Sequence, residues 1–131
     1  MSQQRSLVLV VDDMTETRRL MRRLLERCGM RVIEAETGET ALKAVATSRP
    51  DLVVLDLRLP GISGFDVARA IRANPDAEIA TTLILACSAS VQEEVRRAAI
   101  DAGCDAFEGK PFDIGAFVDV VRNLISQRAS A

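Results

Sequence analysis

Five times along the chain a short apolar run gives way to a turn and then to a stretch with an apolar stripe at helical spacing. This alternation constrains the fold more than any other feature. The runs are Leu7 to Val11, Arg31 to Ala35, Leu52 to Asp56, Thr82 to Cys87 and, weakest, Asp105 to Phe107. Near-continuous runs such as "LVLVV" and "LVVL" suit strands buried on both faces, which occur in parallel sheets. Helices between such strands imply crossovers that cover both sheet faces. The expectation is a doubly wound α/β fold with a five-stranded parallel sheet.

The helices have their own signals. Leu20, Met21, Leu24, Leu25 and Cys28 recur at helical spacing, and Gly29 stands where a left-handed cap ends a helix. A second helix forms around Ala41, Leu42 and Val45 and stops before Pro50. The third opens on Ser63 and Asp66 as a capping box, carries Phe65, Ala68 and Ile71, and ends before Asn74-Pro75. A fourth opens on the similar pair Ser90 and Glu93 and closes at Gly103. The fifth starts near Asp113 and should bury Ile114, Phe117, Val118, Val121, Leu124 and Ile125.

At 131 residues and 48% hydrophobic, the chain has room for one domain with its own core and too little for two. One domain over 1–131 is expected, its core about 7–125, with short tails at 1–5 and 127–131. The formal charge of -2, with Lys and Arg scattered among Asp and Glu, gives no basic stripe to follow a phosphate backbone. No direct nucleic-acid partner is expected. Apolar runs of about five residues fall far short of the roughly 20 that span a membrane, and no signal peptide is read at the amino end. A cytoplasmic protein with no membrane partner is expected. The three cysteines, Cys28, Cys87 and Cys104, share no metal-like spacing and read as buried free thiols.

In "DLVVLDLRLPG" a buried strand runs straight into a carboxylate, Asp56, and then a Pro-Gly turn. In an open parallel sheet the carboxyl ends of the strands share one edge, and ligands bind in the crevice outside it where strand order reverses. The first strand brings Asp12 and Asp13 to that edge. Two unit charges about 4 Å apart repel by about 4 kcal/mol at an effective dielectric near 20, so the three carboxylates call for a cation. Oxygen-only ligands suit Mg2+, which keeps several waters and often binds phosphate as well. Strand four ends in "LILACSAS", bringing the Ser88 hydroxyl, with small Ala89 beside it. "FEGKPF" brings the Lys110 ammonium. Singly, each of these is more often a turn former, a helix cap or solvated surface. Together, a carboxylate nucleophile, a metal site, a hydroxyl and a lysine describe phosphoryl transfer to an aspartate.

The motifs "VLVVDD", "LDLRLPGISGFD", "CSAS" and "FEGKPF", in that order, resemble the receiver domain of two-component response regulators from about Leu7 to Ile125. The resemblance implies a flavodoxin-like (βα)5 fold with strand order 2-1-3-4-5. It makes Asp56 the phospho-acceptor, Asp13 a direct Mg2+ ligand, Asp12 a support acting mainly through water, and the Arg58 backbone carbonyl a further ligand. Ser88 and Lys110 would hold the phosphoryl group, Ser88 and Phe107 would form the switch, and the Lys110-Pro111 bond is expected cis. The donor would be a histidine kinase or histidine phosphotransfer protein. A downstream protein would dock on the face of helix four, strand five and helix five, and a homodimer is possible. Such a module catalyses only its own phosphorylation and dephosphorylation and is not a turnover enzyme.

Some positions depart from the commoner pattern. Serine at 88 keeps the hydroxyl without the β-branch that restricts its rotamers. Phenylalanine at 107 has no hydroxyl to leave unsatisfied. The Arg58 side chain is expected in solvent, and Gly109 should loosen the end of strand five. Two other classes compete: a pseudo-receiver that signals without phosphate, and an aspartyl-phosphate phosphatase. Intact Asp13, Asp56 and Lys110 argue against the first. The adjacency of Asp12 and Asp13, where a phosphatase has its second acid two residues on, argues against the other. The chain is either free-standing or cut from a longer regulator.

Overall fold

The structure, a computed structural model, describes residues 5–110 and 113–130. The chain runs β1 (Leu7–Val11), α1 (Thr15–Arg27), β2 (Arg31–Ala35), α2 (Gly38–Ser48), β3 (Leu52–Asp56), α3 (Gly64–Arg72), α4 (Ala77–Ala80), β4 (Leu83–Ser88), α5 (Glu93–Asp101), β5 (Ala106–Gly109) and α6 (Ile114–Ser130). All strands pair in parallel in the order β2-β1-β3-β4-β5, as expected.

Each strand divides its residues between two cores because successive side chains point to opposite faces. On one face Val8, Val10, Val54 and Leu85 pack against Met21 and Leu25 of α1 and Phe117 and Val121 of α6. On the other, Leu9, Val53, Leu55 and Ile84 meet Ala41 and Val45 of α2, Val67 and Ile71 of α3, and Ala99 of α5. β1 and β3 are buried along their whole length, which is why they read as unbroken apolar runs.

The element ends depart from expectation for local reasons. β4 starts at Leu83 and keeps Ser88, because the ladder to β5 extends to Ser88 and Gly109. β5 starts at Ala106; the Asp105 carboxylate instead accepts the Ile84 N–H at 2.8 Å, tying off the strand entrance. The short helix α4 was not expected. Asp76 caps it by accepting the Glu78 N–H at 2.9 Å. The capping box on α3 is half formed: Ser63 accepts from the Asp66 N–H, while the Asp66 carboxylate turns to Arg69. The Ser90 and Glu93 pair caps nothing, since α5 starts after Gln92 without a side-chain cap and the Ser90 N–H bonds back to Ser88. Leu20 is 39% and Ile114 52% exposed, so neither belongs to the buried stripes. α6 continues to Ser130, through residues expected to be a tail. The Lys110-Pro111 bond and most of the amino tail lie outside the described residues.

Gly29 takes the left-handed conformation (φ 86°) just after α1, as its position implied. At the other end of the sheet, Arg72 of α3 binds three carbonyls: Nε reaches Gly103 at 2.9 Å, and Nη1 reaches Ala80 at 2.9 Å and Thr82 at 2.6 Å. Its Nη2 lies 2.9 Å from Asp105. One side chain thus ties α3 to the segments entering β4 and β5. Arg72→Met should cost about 2–3 kcal/mol, because a partly buried carbonyl left without a donor costs about 1–3 kcal/mol. Urea unfolding followed by circular dichroism measures this, and a loss below about 0.5 kcal/mol would show the ties to be incidental.

Candidate functional site

The parallel register brings the carboxyl ends of β1, β3, β4 and β5 to one edge. Val11 lies beside Leu55, Asp56 beside Cys87, and Ser88 beside Gly109. Asp12 directly follows β1, Asp56 ends β3, Ser88 ends β4 and Lys110 follows β5. Four distant segments therefore reach one place. A cleft of about 270 Å³ is lined by Asp13, Met14, Asp56, Arg58, Ser88, Ala89, Ser90 and Lys110.

The bond pattern gives each acid a different character. Asp12 is fully buried. Its Oδ1 accepts the Met14 N–H at 2.9 Å and its Oδ2 accepts from Lys110 Nζ at 2.7 Å. Asp56 is 7% exposed and accepts the Arg58 N–H at 3.1 Å. Lys110 Nζ lies 3.4 Å from its Oδ2. Asp13 is exposed. Burial pushes the Asp56 carboxyl above its ordinary value, against the Arg58 N–H and the Lys110 charge, which favour the ionised form. Burial works against the Lys110 ammonium, but its bond to Asp12 and the charge of Asp56 outweigh that and raise its pKa. Lys110 stays charged at neutral pH.

One carboxylate oxygen each from Asp12, Asp13 and Asp56 lie within 4.8 Å of one another. Ligands on opposite sides of a Mg2+ ion are about 4 Å apart, given Mg–O distances of about 2.0–2.1 Å. The three acids therefore fit a Mg2+ ion that keeps some of its waters. Asp12, committed to Lys110, is suited to reach the metal through water.

The glycine at the head of α3 sets the floor of the site. A Cβ on Gly64 would overlap the Asp56 carbonyl and lie 2.6 Å from Leu57 Cα, so only glycine lets the helix start this close to β3. Ser88 is half-buried, and its Oγ accepts the Ser90 N–H at 3.1 Å. That bond uses a lone pair and leaves the hydroxyl proton for an acceptor in the cleft. The Arg58 side chain is exposed, as expected. Phe107 does not line the cleft. It is half-buried on β5, two residues before Gly109, and packs against the α5 side of the core. Gly109 ends β5 with Val91 pressed against it, at 2.5 Å from where a Cβ would stand. Cys87 and Cys104 are buried and Cys28 partly so, all as free thiols. Burial pushes the Cys87 thiol far up and Cys104 to about 11, so neither provides a thiolate.

Sequence reasoning missed Met14 and Ser90 in the lining, and it missed Arg18, whose Nη1 donates to the Asp12 carbonyl at 2.9 Å. The signal was present: Arg18, Met21 and Leu25 fall on one helix face, an i, i+3, i+7 stripe with a charge inside it.

The chain matches the response regulator receiver domain over residues 8–122. The KDP operon transcriptional regulatory protein KdpE of Escherichia coli K12 is 42% identical over 82% of this chain and 46% of its own length. KdpE of Mycobacterium tuberculosis is 36% identical over 96% of this chain and 54% of its own length. The chain thus spans about half the length of these curated relatives. A crystal structure assigned as a response regulator of Chloroflexus aurantiacus superposes with a TM-score of 0.88 at 28% identity, covering 94% of this chain and 99% of that one.

Proposed function

The chain belongs to the response regulator receiver domain family, and on that premise we propose that it is a phosphorylation-dependent switch taking its phosphoryl group onto Asp56. The donor is a phosphohistidine on a histidine kinase or histidine phosphotransfer protein. The observation that carries this reading is the bridging of Asp12 and Asp56 by Lys110, at 2.7 and 3.4 Å, in a cleft that Ser88 also lines.

An Asp56 carboxylate oxygen attacks phosphorus, the P–N bond to the histidine breaks, and the imidazole leaves. Asp13, Asp56 and the Arg58 carbonyl would hold a Mg2+ ion, with Asp12 acting through water, and a bound ion would supply positive charge beside the transferred group. Lys110 offers its ammonium to the phosphoryl oxygens, and Ser88 donates its hydroxyl proton to one of them. Water later cleaves the acyl phosphate, so the chain modifies only itself.

Drawing Ser88 toward the phosphoryl group opens space beside β4, and Phe107, half-buried on the neighbouring strand, moves inward to fill it. The face of α5, β5 and α6, the fourth and fifth expected helices with the strand between them, becomes the docking surface for a downstream protein or a second copy. Relatives named as transcriptional regulators suggest an output on gene expression through other segments or partners. Among the described residues no helix is long and apolar enough to cross a membrane, and we place the reaction in the cytoplasm. Acetyl phosphate with millimolar Mg2+ should add one phosphoryl group by intact mass, and a chelator should prevent it. Equal uptake with and without Mg2+, or none with it, would contradict the reading.

A further inference from the structure

Arg18 is 6% exposed. A buried guanidinium needs acceptors, because an unpaired charge out of water is strongly disfavoured. It has three. Nη1 donates to the Asp12 carbonyl at 2.9 Å, Nε to Glu34 Oε1 at 2.7 Å and Nη2 to Glu36 Oε1 at 3.2 Å. Glu34, next to last in β2, is in turn held by Arg22 at 2.6 Å, and Arg22 also pairs with Glu26 at 3.2 Å. The guanidinium is thus anchored to β2 on one side and grips the turn after β1 on the other.

What it grips is the peptide between the two acids. The Asp12 carbonyl and the Asp13 N–H share one rigid plane. Among the described residues no hydrogen bond or ion pair engages the Asp13 carboxylate, so the backbone sets the Cα–Cβ direction from which it projects. Asp12 is already fixed at its side chain by Met14 and Lys110, and at its N–H by a longer bond to Ala35 of 3.2 Å. The Arg18 bond holds the Asp12–Asp13 peptide directly at its carbonyl, beside the Met14 N–H bond to Asp12 Oδ1 that spans the same peptide.

We infer that Arg18 is a positioning residue for the acid cluster: it touches no reacting atom, but by locking the Asp12–Asp13 peptide it aims Asp13 into the cleft. The inference rests on the reading of that cleft as a Mg2+ and phosphoryl site. Electrostatics and positioning predict opposite signs. A guanidinium near three carboxylates repels a divalent cation, so removing it should tighten Mg2+ binding if charge were its contribution. Losing the positioning should weaken binding.

The test is Arg18→Met, which removes the guanidinium charge while Glu34 keeps its pairing with Arg22 at 2.6 Å. Arg18→Lys is the second variant; it keeps the charge but loses the planar fork that reaches three acceptors. Calorimetric Mg2+ titration should give at least a tenfold weaker Kd for both, in protein that still unfolds cooperatively. Amide resonances of Asp13 and Met14 should move, while those of α5 stay. Should Arg18→Met fail to fold, Arg18→Lys decides. A Kd unchanged or tighter in folded variants overturns the positioning role even where melting temperature falls. A parent chain that takes up no Mg2+ overturns both the inference and the function on which it rests, whereas parent binding matched by the variants overturns the inference alone.

Discussion

Replacing Asp56 with asparagine should end phosphoryl uptake and, at neutral pH, make the protein more stable. Asparagine has the shape of aspartate and still accepts the Arg58 N–H, but its amide oxygen is a poor nucleophile. Its stability effect follows from burial. The Asp56 carboxyl titrates above the ordinary range of an aspartate, chiefly because burial disfavours the charged form. For an acid with a raised folded pKa, ionisation costs stability: the cost is absent below the unfolded value, develops as pH rises through the folded one, and is complete above it. Asp56→Asn removes that cost. Its melting temperature should exceed the parent's at pH 7, and the gap should close as pH falls toward about 3, below the unfolded pKa. A gap that is constant across pH, or widest in acid, would mean that Asp56 is not the strained carboxylate of the cluster.

Lys110→Met should show the opposite pattern in stability and a large loss in transfer. Lys110 is 18% exposed and is the cation bridging buried Asp12 and Asp56. Removing one partner from a buried ion pair leaves an uncompensated charge, and such changes typically cost about 3–5 kcal/mol. Mg2+ can supply part of the missing charge, so its stabilising effect should be larger in the variant than in the parent, with affinity equal or higher. Transfer from acetyl phosphate should nevertheless fall by roughly 10²–10³-fold at saturating Mg2+, the usual effect of removing one donor aimed at developing negative charge. The pairing of undiminished metal affinity with slow transfer identifies Lys110 as a phosphoryl contact. A rate within tenfold of the parent would reduce it to a structural counter-ion.

Much of this arrangement was readable in the sequence because of the sheet. β1 and β3 are buried on both faces, so composition alone marks them, and parallel pairing brings their carboxyl ends to one edge wherever they lie in the chain. Asp12, Asp13, Asp56, Ser88 and Lys110 all follow from that rule. What escaped depends on partners distant in sequence or on pieces too short for a period. α4 has four residues, about one helical turn, so no apolar stripe can develop. Ser90 resembles an N-cap until the nearby Ser88 Oγ takes its N–H. Leu20 resembles part of the stripe until Arg18 is seen to occupy the buried face. Arg18 and Arg72 escaped notice because an arginine is usually a solvated surface charge. Only the fold reveals that Arg72 donates to three backbone carbonyls and Arg18 to the Asp12 carbonyl.

Reduction of the phosphorylated chain with borohydride offers the sharpest measurement, because it converts an aspartyl phosphate to homoserine and records its position in the peptide map. After incubation with acetyl phosphate and Mg2+, homoserine is expected at position 56, with Asp12 and Asp13 unchanged. Homoserine at position 12 or 13, or a stable phosphoryl group on any other side chain, would contradict Asp56 as the acceptor.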